Sequence, residues 1–287
     1  MIGLVCAIVT TFRPSMEIFA NLAQIAKQAD LVIVVDDTGE GESIKKKFAE
    51  NIKYLYLKNS QNIGIAASLN IGVRKAIDLG FEYFLTVDDD TWLADDYLSY
   101  IKNAFETLPL ENIGLISCSR GTTLSSAIDN DFTFSEKRTL ITSGSFFSKN
   151  VFLKVGGFEE TFFIDLVDFD FAMKVKKNGF KVILLNKIGM VHKVGNSVGL
   201  KYLAFRYTVF HHAPFRLYYQ IRNSIFFFKT YYTQDFPLCL YILLDLIRIP
   251  IKTILFENNK ILRLKYILLG YFDALRGYSG KSSVKFG

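Results

Sequence analysis

The stretch Phe84-Leu85-Thr86-Val87-Asp88-Asp89-Asp90-Thr91-Trp92 sets three consecutive carboxylates at the end of an apolar, β-branched and aromatic run. Such a run reads as a buried strand, and the carboxylates must mark its end, because a strand interior could not keep them. Three adjacent anions repel one another and are tolerable where something positive sits among them. While the chain stays extended, Asp88 and Asp90 point to one side and Asp89 to the other. Two hard oxygen donors at the carboxyl end of a strand suit a Mg²⁺ or Mn²⁺ ion that also holds phosphate oxygens. An acidic turn capping a helix that begins near Ala94 accounts for the same residues, since Asp and Thr are frequent N-caps. Both readings stand on this stretch alone.

A second acidic cluster, Asp165, Asp168 and Asp170, lies among aromatics in Phe162–Lys174, just before a helix predicted to run to about Asn178-Gly179. On a helix Asp165 and Asp168 share a face, leaving Asp170 to cap or to pair with a lysine. A carboxylate beside apolar side chains tends towards a raised pKa, which suits a general base. Charges that complement the helix dipole explain at least one of the three equally well. His192 follows the predicted strand Lys181–Leu185. A single histidine is more often structural, but this position suits a nitrogen ligand returning to a metal.

These residues need a frame, and the periodicity supplies one. Apolar runs at Gly3–Val9, Leu31–Val35, Ile52–Leu57, Tyr83–Val87 and Ile113–Cys118 read as strands. Helices are predicted from Pro14 to about Gln28, over 42–50 and over Ile63–Leu79. Strand and helix alternating at this spacing predict a parallel sheet with helices on both faces. Ligands of such sheets gather at the carboxyl ends of the strands, where Thr11 and Arg13, Asp36 and Asp37, and Asp88 and Asp90 all fall. Asn62 reads as an N-cap, and the small residues after it allow close approach of a ligand or neighbouring backbone. Residues 119–138 read as a loop or edge hairpin near the site. Ser143-Gly144-Ser145 interrupts the strand pattern of Leu140–Phe147, a sign of a bulge or of a ligand near the backbone.

The chain of 287 residues has room for one large domain, or a domain with an appendage, and is 50% hydrophobic and 15% aromatic, rich for a freely soluble protein. The net charge of +6 is uneven: residues 1–198 carry −3 and residues 199–287 carry +9. That asymmetry points to an anionic surface as partner for the second part. Phe236–Phe256 is long and apolar, but Asp245, Arg248, Pro250 and Lys252 disfavour a span through hydrocarbon. An amphipathic segment lying in a membrane interface fits better, and a helical subdomain with a solvated basic face is the alternative. No nucleic-acid-binding motif accompanies the charge. Cys6, Cys118 and Cys239 follow no motif and read as buried free thiols of a reducing compartment. The apolar run Ile2–Val9 lacks a basic flank and a cleavage site, so no signal peptide is expected.

Eight of these motifs stand in one order: Val9–Pro14, Val34–Gly39, Asn62-Ile63-Gly64, Val87–Asp90, Ile141–Gly144, Phe163–Asp168, Val191-His192 and Tyr218-Tyr219-Gln220-Ile221-Arg222-Asn223. Over roughly residues 3–232 the chain resembles the inverting glycosyltransferases of family 2, in particular their bacterial rhamnosyltransferase-like branch. The resemblance implies an α/β GT-A fold: a Rossmann-like, mostly parallel sheet flanked by helices over 1–198, with a helical, amphipathic extension over 199–287. It implies that Asp36 hydrogen-bonds a nucleobase and that Thr11 and Arg13 line the nucleotide pocket. Asp37, Asn62, Gly64, Asp89, Ser143 and Gly144 are further candidates for the donor site. Asp88 and Asp90 would hold Mn²⁺ or Mg²⁺ on the donor diphosphate, with His192 as a further ligand. Asp168 would be the general base, with Asp165 its first competitor. Relatives often carry Glu-Trp at Asp170-Phe171 and Arg near Lys174 or Lys176, a departure that touches acceptor recognition rather than reaction class.

The implied activity is transfer of a sugar, dTDP-rhamnose being the expected donor, to a lipid-linked saccharide of a surface polysaccharide such as O-antigen or capsule. The expected location is cytoplasmic, peripheral on the inner face of the membrane. The partners expected are the nucleotide-sugar, the lipid-linked acceptor and the membrane surface, with no nucleic acid; a homo-oligomer is compatible with the sequence. The rivals are a galactofuranosyltransferase using a UDP-sugar and an inactive sugar-nucleotide-binding partner of another transferase.

Overall fold

A computed structural model describes residues 2–39, 53–124, 132–192, 197–202, 205–210 and 213–284, with the backbone alone over 192–202 and 205–210. The chain divides into two compact units, residues 1–160 with 167–192, and residues 161–166 with 193–287.

The first unit runs β1 (Val5–Thr11), α1 (Ile18–Ala26), β2 (Leu31–Asp36), β3 (Tyr54–Lys58), α2 (Ile65–Asp78), β4 (Tyr83–Asp88), β5 (Thr91–Leu93), α3 (Tyr97–Thr107), β6 (Ile113–Gly121), β7 (Phe134–Glu136), β8 (Ser145–Ser148), α4 (Lys149–Val155), α5 (Val167–Lys177) and β9 (Lys181–His192). One sheet has the order β3-β2-β1-β4-β8-β6-β9-β5, with β7 paired to β9. Strands β3, β2, β1 and β4 are parallel neighbours, as are β6 and β9, whereas β8 is antiparallel to both β4 and β6. Every residue of β1 is buried, as a parallel strand covered on both faces requires. Helix α2 lies close on it, because Gly72 has no side chain: a Cβ there would stand 2.4 Å from Cγ2 of Ile8.

Several boundaries differ from the sequence expectation, each for a local reason. The first helix begins at Ile18 rather than Pro14, because Arg13 takes a left-handed backbone (φ 52°) and its N–H donates to Oγ1 of Thr38 at 2.8 Å. The helix expected near Ala94 begins at Tyr97, since Thr91–Leu93 is a short strand antiparallel to β9. The strand placed at Leu140–Phe147 is confined to Ser145–Ser148. The strand predicted to stop at Leu185 runs on to His192, the added residues pairing with β5 and β6. The predicted helix over 42–50 and part of the 119–138 loop lie outside the described residues.

The second unit contains the hairpin β10 (Ser197–Tyr202) and β11 (Phe205–Phe210), then α6 (Pro214–Tyr231), α7 (Phe236–Leu243), α8 (Asp245–Phe256) and α9 (Lys260–Arg276). Helices α6 and α9 pack closely: a Cβ at Gly270 would lie 2.6 Å from the carbonyl oxygen of Tyr218. Tyr218, Tyr219, Tyr266 and Phe163 form one aromatic core. The apolar segment Phe236–Phe256 is two helices, not one, parted at Leu244. Among the described residues no helix is long and apolar enough to cross a membrane.

Cys6 and Cys118 are free and buried, and burial pushes both thiols up to about 12. The thiolate is the reactive form, so both groups are inert while the protein is folded. In a thiol titration with Ellman's reagent at pH 8 they react only after unfolding; reaction in the native protein at the denatured rate would contradict this packing.

Candidate active site

Register brings the polar strand ends together. Thr11 pairs with Asp36 across β1 and β2, and Thr10 pairs with Asp88 across β1 and β4. Three strands therefore finish at one edge with their polar residues side by side. Asp36 is 1% exposed. Its Oδ1 accepts from the N–H of Thr38 at 2.9 Å, and its Oδ2 from the hydroxyl of Tyr56 on β3. Arg13 is exposed at the rim, its guanidinium 5.2 Å from the centre of the Phe12 ring.

Asp37 is buried and holds the entry to α2. Its Oδ1 accepts from Nδ2 of Asn59 at 2.9 Å and the N–H of Ile63 at 2.8 Å, and its Oδ2 from the N–H of Gly64 at 2.8 Å. The residue before the helix is Gly64, at φ 94°, ψ 162°, a conformation open to glycine. Asn62 is thus not the N-cap; its Oδ1 accepts from the N–H of Gly64 two residues on, at 3.1 Å.

The acidic triplet does not continue the strand. β4 ends at Asp88, Asp89 and Asp90 form a turn, and Thr91 opens β5. The strict alternation expected for extended chain therefore stops at Asp88, because the chain must reverse for β5 to pair with β9. Asp89 accepts from the hydroxyl of Thr11, and its carbonyl accepts from Nδ2 of Asn21 at 2.7 Å. Burial pushes the Asp89 carboxyl up, and the charge of Asp90 pushes it further, against the lowering effect of the Thr11 hydroxyl. Asp88 is half-buried and Asp90 exposed. The N–H of Asp88 donates to Oγ of Ser143 at 2.9 Å, and that hydroxyl donates to Thr91 at 2.7 Å. Gly144 (φ 78°) has a packing reason to be glycine, since a Cβ would meet the Tyr97 hydroxyl oxygen at 2.6 Å and Sδ of Met190 at 2.8 Å.

This donor set fits a hard divalent cation. Among the described residues no three His, Cys, Asp or Glu side chains form a ready cage. Mg²⁺ and Mn²⁺ commonly use one or two carboxylates and take the remaining oxygens from substrate phosphates and water. The excess negative charge at the turn is what such an ion would neutralise. The backbone of His192 pairs with Thr91, next to the turn; its side chain lies outside the described residues.

Asp168 stands on the first turn of α5, half-buried, with Oδ1 accepting from the N–H of Phe169 at 3.0 Å. It lines a small pocket with Thr86, Thr142, Ser145, Phe147 and Phe171, and Thr86 lies two residues before Asp88 on β4. Asp170 is buried and pairs with Lys174 at 3.2 Å. Asp165 precedes α5 in left-handed backbone (φ 64°), so the helical pairing of Asp165 with Asp168 is not formed. Its carboxylate is taken by Arg216, Nη2 to Oδ1 at 2.5 Å and Nε to Oδ2 at 3.3 Å.

Sequence reasoning missed Tyr56, Thr38, Asn21 and Thr91 as supports of the site. Thr38, one residue from an Asp pair at a strand end, carried a turn signal; Tyr56 and Asn21 lie inside regular elements and carried none.

A sheet with parallel strands β3-β2-β1-β4, an antiparallel β8 beside them and a carboxylate turn after β4 is the GT-A fold of glycosyltransferases. Residues 6–148 match the model of glycosyl transferase family 2, and the chain belongs to that family. It is 31% identical over 142 residues to the dTDP-rhamnosyl transferase RfbF of Shigella flexneri, a match spanning 49% of this chain and 46% of that relative. The chain therefore matches about half the length of that relative. Among solved structures it resembles the mannosyltransferase PcManGT from Pyrobaculum calidifontis in complex with GDP-Man and Mn²⁺ (TM-score 0.61, 15% identity, 96% of this chain and 88% of that one). It also resembles S. aureus TarS 1-349 in complex with UDP-GlcNAc (TM-score 0.59, 15% identity, 95% and 81%).

The role of Asp37 is measurable. Asp37→Ala leaves three donors without their carboxylate, two of them backbone N–H groups entering α2. Stability in urea is expected to fall by about 2–4 kcal/mol; a loss under about 0.5 kcal/mol, within the range of ordinary surface substitutions, would assign Asp37 to ligand rather than to fold.

Proposed function

We propose that the chain is an inverting glycosyltransferase that moves L-rhamnose from dTDP-rhamnose to a hydroxyl of a lipid-linked saccharide. The observation that carries the reading is the carboxylate turn at the end of β4, set by register beside the Thr11–Asp36 edge. Thr11 and Arg13 form the wall of the nucleotide pocket, and Asp36, already bonded to Thr38 and Tyr56, shapes it from beneath. Asp88 and Asp90, with His192, are the residues that would hold a divalent cation on the diphosphate. Bound there, the cation supplies neutralisation of the charge that grows on the leaving group.

Asp168 is the general base. It takes the proton of the acceptor hydroxyl as that oxygen attacks the anomeric carbon from the face opposite the diphosphate. The bond from the sugar to the diphosphate breaks, its electron pair leaves with the nucleoside diphosphate, and one displacement inverts the anomeric centre. Asp165 is the weaker candidate because its oxygens are engaged by Arg216, and Asp170 because it is buried against Lys174. The similarity to a dTDP-rhamnosyl transferase supports the donor.

The second unit supports a lipid-linked acceptor at a membrane surface. On α8, Ile247, Ile251 and Ile254 are each at least half exposed at helical spacing, as are Leu268, Phe272 and Leu275 on α9. Arg248, Lys265 and Arg276 stand exposed on the same helices. Apolar stripes flanked by basic residues suit the interface of an anionic bilayer, on the inner face of the cytoplasmic membrane in this reading.

Two experiments test this. dTDP with Mn²⁺ or Mg²⁺ is expected to raise the melting temperature, by about 2.7 kcal/mol of added stability at a hundredfold excess over Kd. Asp88→Ala with Asp90→Ala removes the metal dependence, while Asp168→Asn keeps the shift and lowers kcat by about 10²–10⁴. A larger shift with UDP moves the donor to a UDP-sugar; none with any nucleotide in folded protein overturns the catalytic reading. Separately, the protein is expected to float with phosphatidylglycerol vesicles, and Ile247→Glu with Ile251→Glu to weaken that at least tenfold. Equal recovery of both proteins in the soluble fraction would remove the membrane from the proposal.

A further inference from the structure

The motif Tyr218-Tyr219-Gln220-Ile221-Arg222-Asn223 has no part in the chemistry above, and the second unit shows what it touches. Arg222 and Asn223 are both 0% exposed. The amide nitrogen of Asn223 donates to three carbonyls of one segment, those of Phe162 (2.9 Å), Ile164 (2.7 Å) and Asp165 (3.0 Å). The guanidinium of Arg222 donates to the Asn223 side-chain oxygen through Nε and Nη2, both at 3.1 Å, which fixes which end of the amide faces the carbonyls. Its Nη2 reaches the carbonyls of Thr161 (3.2 Å) and Phe162 (3.4 Å), and its Nη1 that of Gly280 (2.7 Å). The Tyr219 ring carries Arg222 at 4.9 Å and stacks on Phe163, the centroids also 4.9 Å apart.

The segment held in this way is an unfavourable one. Phe163, Asp165 and Leu166 have φ of 61°, 64° and 63°, a region that Asp tolerates and that bulky residues such as Phe and Leu rarely adopt. They are three of the six non-glycine residues with positive φ among those described. Such backbone persists where its surroundings over-determine it, and it concentrates at functional sites. Leu166 is followed directly by Val167, the first residue of α5, and Asp168 comes next.

We infer that Arg222 and Asn223 are positioning residues for sugar transfer: they hold Thr161–Leu166, left-handed at Phe163, Asp165 and Leu166, and so fix Asp165 and Leu166, the residue that leads in sequence to Val167 and Asp168. The inference rests on the reading of Asp168 as the base. Two side chains donating to the carbonyls of Thr161, Phe162, Ile164 and Asp165 do what a regular element cannot, because a segment left-handed at Phe163, Asp165 and Leu166 forms no ladder of its own.

The test compares Asn223→Ala and Arg222→Lys with the parent protein, and reads hydrogen exchange together with steady-state kinetics. Amides of residues 162–170 are expected to exchange at least tenfold faster while those of β1, β2 and β4 are unchanged. The dTDP-induced rise in melting temperature and the donor KM stay as they were, and kcat falls tenfold or more. Arg222→Lys keeps the charge but loses the forked donor geometry, and it decides the matter should Asn223→Ala not fold. Exchange unaltered over 162–170, faster by the same factor throughout the chain, or faster there with kcat retained would overturn the inference. Should the parent protein transfer no sugar from any nucleotide donor, the reading of Asp168 fails, while the exchange data still show whether the clamp exists.

Discussion

The parallel register of β2, β1 and β4 is the constraint on which the rest of the first unit depends. These strands are covered on both faces, and a slip of one residue would turn every side chain to the opposite face. With both layers packed, the carboxyl ends are where a polar side chain can reach ligand. Thr11, Asp36 and Asp88 reach a common edge because Thr11 stands opposite Asp36 and Thr10 opposite Asp88. The hydrogen bond from Thr11 to Asp89 then ties the acidic turn to the central strand.

The carboxylates divide by what already holds them. Asp36 and Asp37 are buried, but backbone N–H groups, a phenol and an amide engage their oxygens. A buried carboxylate satisfied in this way stabilises the loops that donate to it; removing one exposes several polar groups to the full cost of desolvation. Asp165 and Asp170 are paired with Arg216 and Lys174. At the turn after β4 the balance is different: burial and a neighbouring anion work against charge on Asp89. A cation beside that turn would offset both effects.

The second unit solves another problem. It contains a segment, Thr161–Leu166, that comes from the middle of the sequence and has little regular structure of its own. Aromatic stacking and the paired donors of Arg222 and Asn223 supply the bonds that helix or sheet would otherwise provide. Elsewhere in the unit the apolar side chains are more than its core requires. Ile247 and Ile251 on α8, and Leu268 and Phe272 on α9, remain exposed, more apolar surface than water alone favours.

The sequence by itself determined β1, β2, β3, α2, β4 and β6 and the placing of Thr11, Asp36 and Asp88 at strand ends, because period and turn residues are local signals; β5 and α4 are too short for a period to show. It determined the family as well, through motifs whose order is written in the chain. Where each carboxylate points was decided by tertiary structure. Asp89-Asp90 became a turn because β5 had to pair with a strand a hundred residues away. Asn62 yielded the helix entry to Gly64 because Asp37, directly after β2, took the N–H groups. Asp165 left the helix of Asp168 because Arg216 and Asn223, more than fifty residues on, hold it in left-handed backbone. Local propensity says which residues can bond; only the fold says which partners arrive first, and a buried polar group takes the partner that arrives, because leaving it without one costs more than bending the chain.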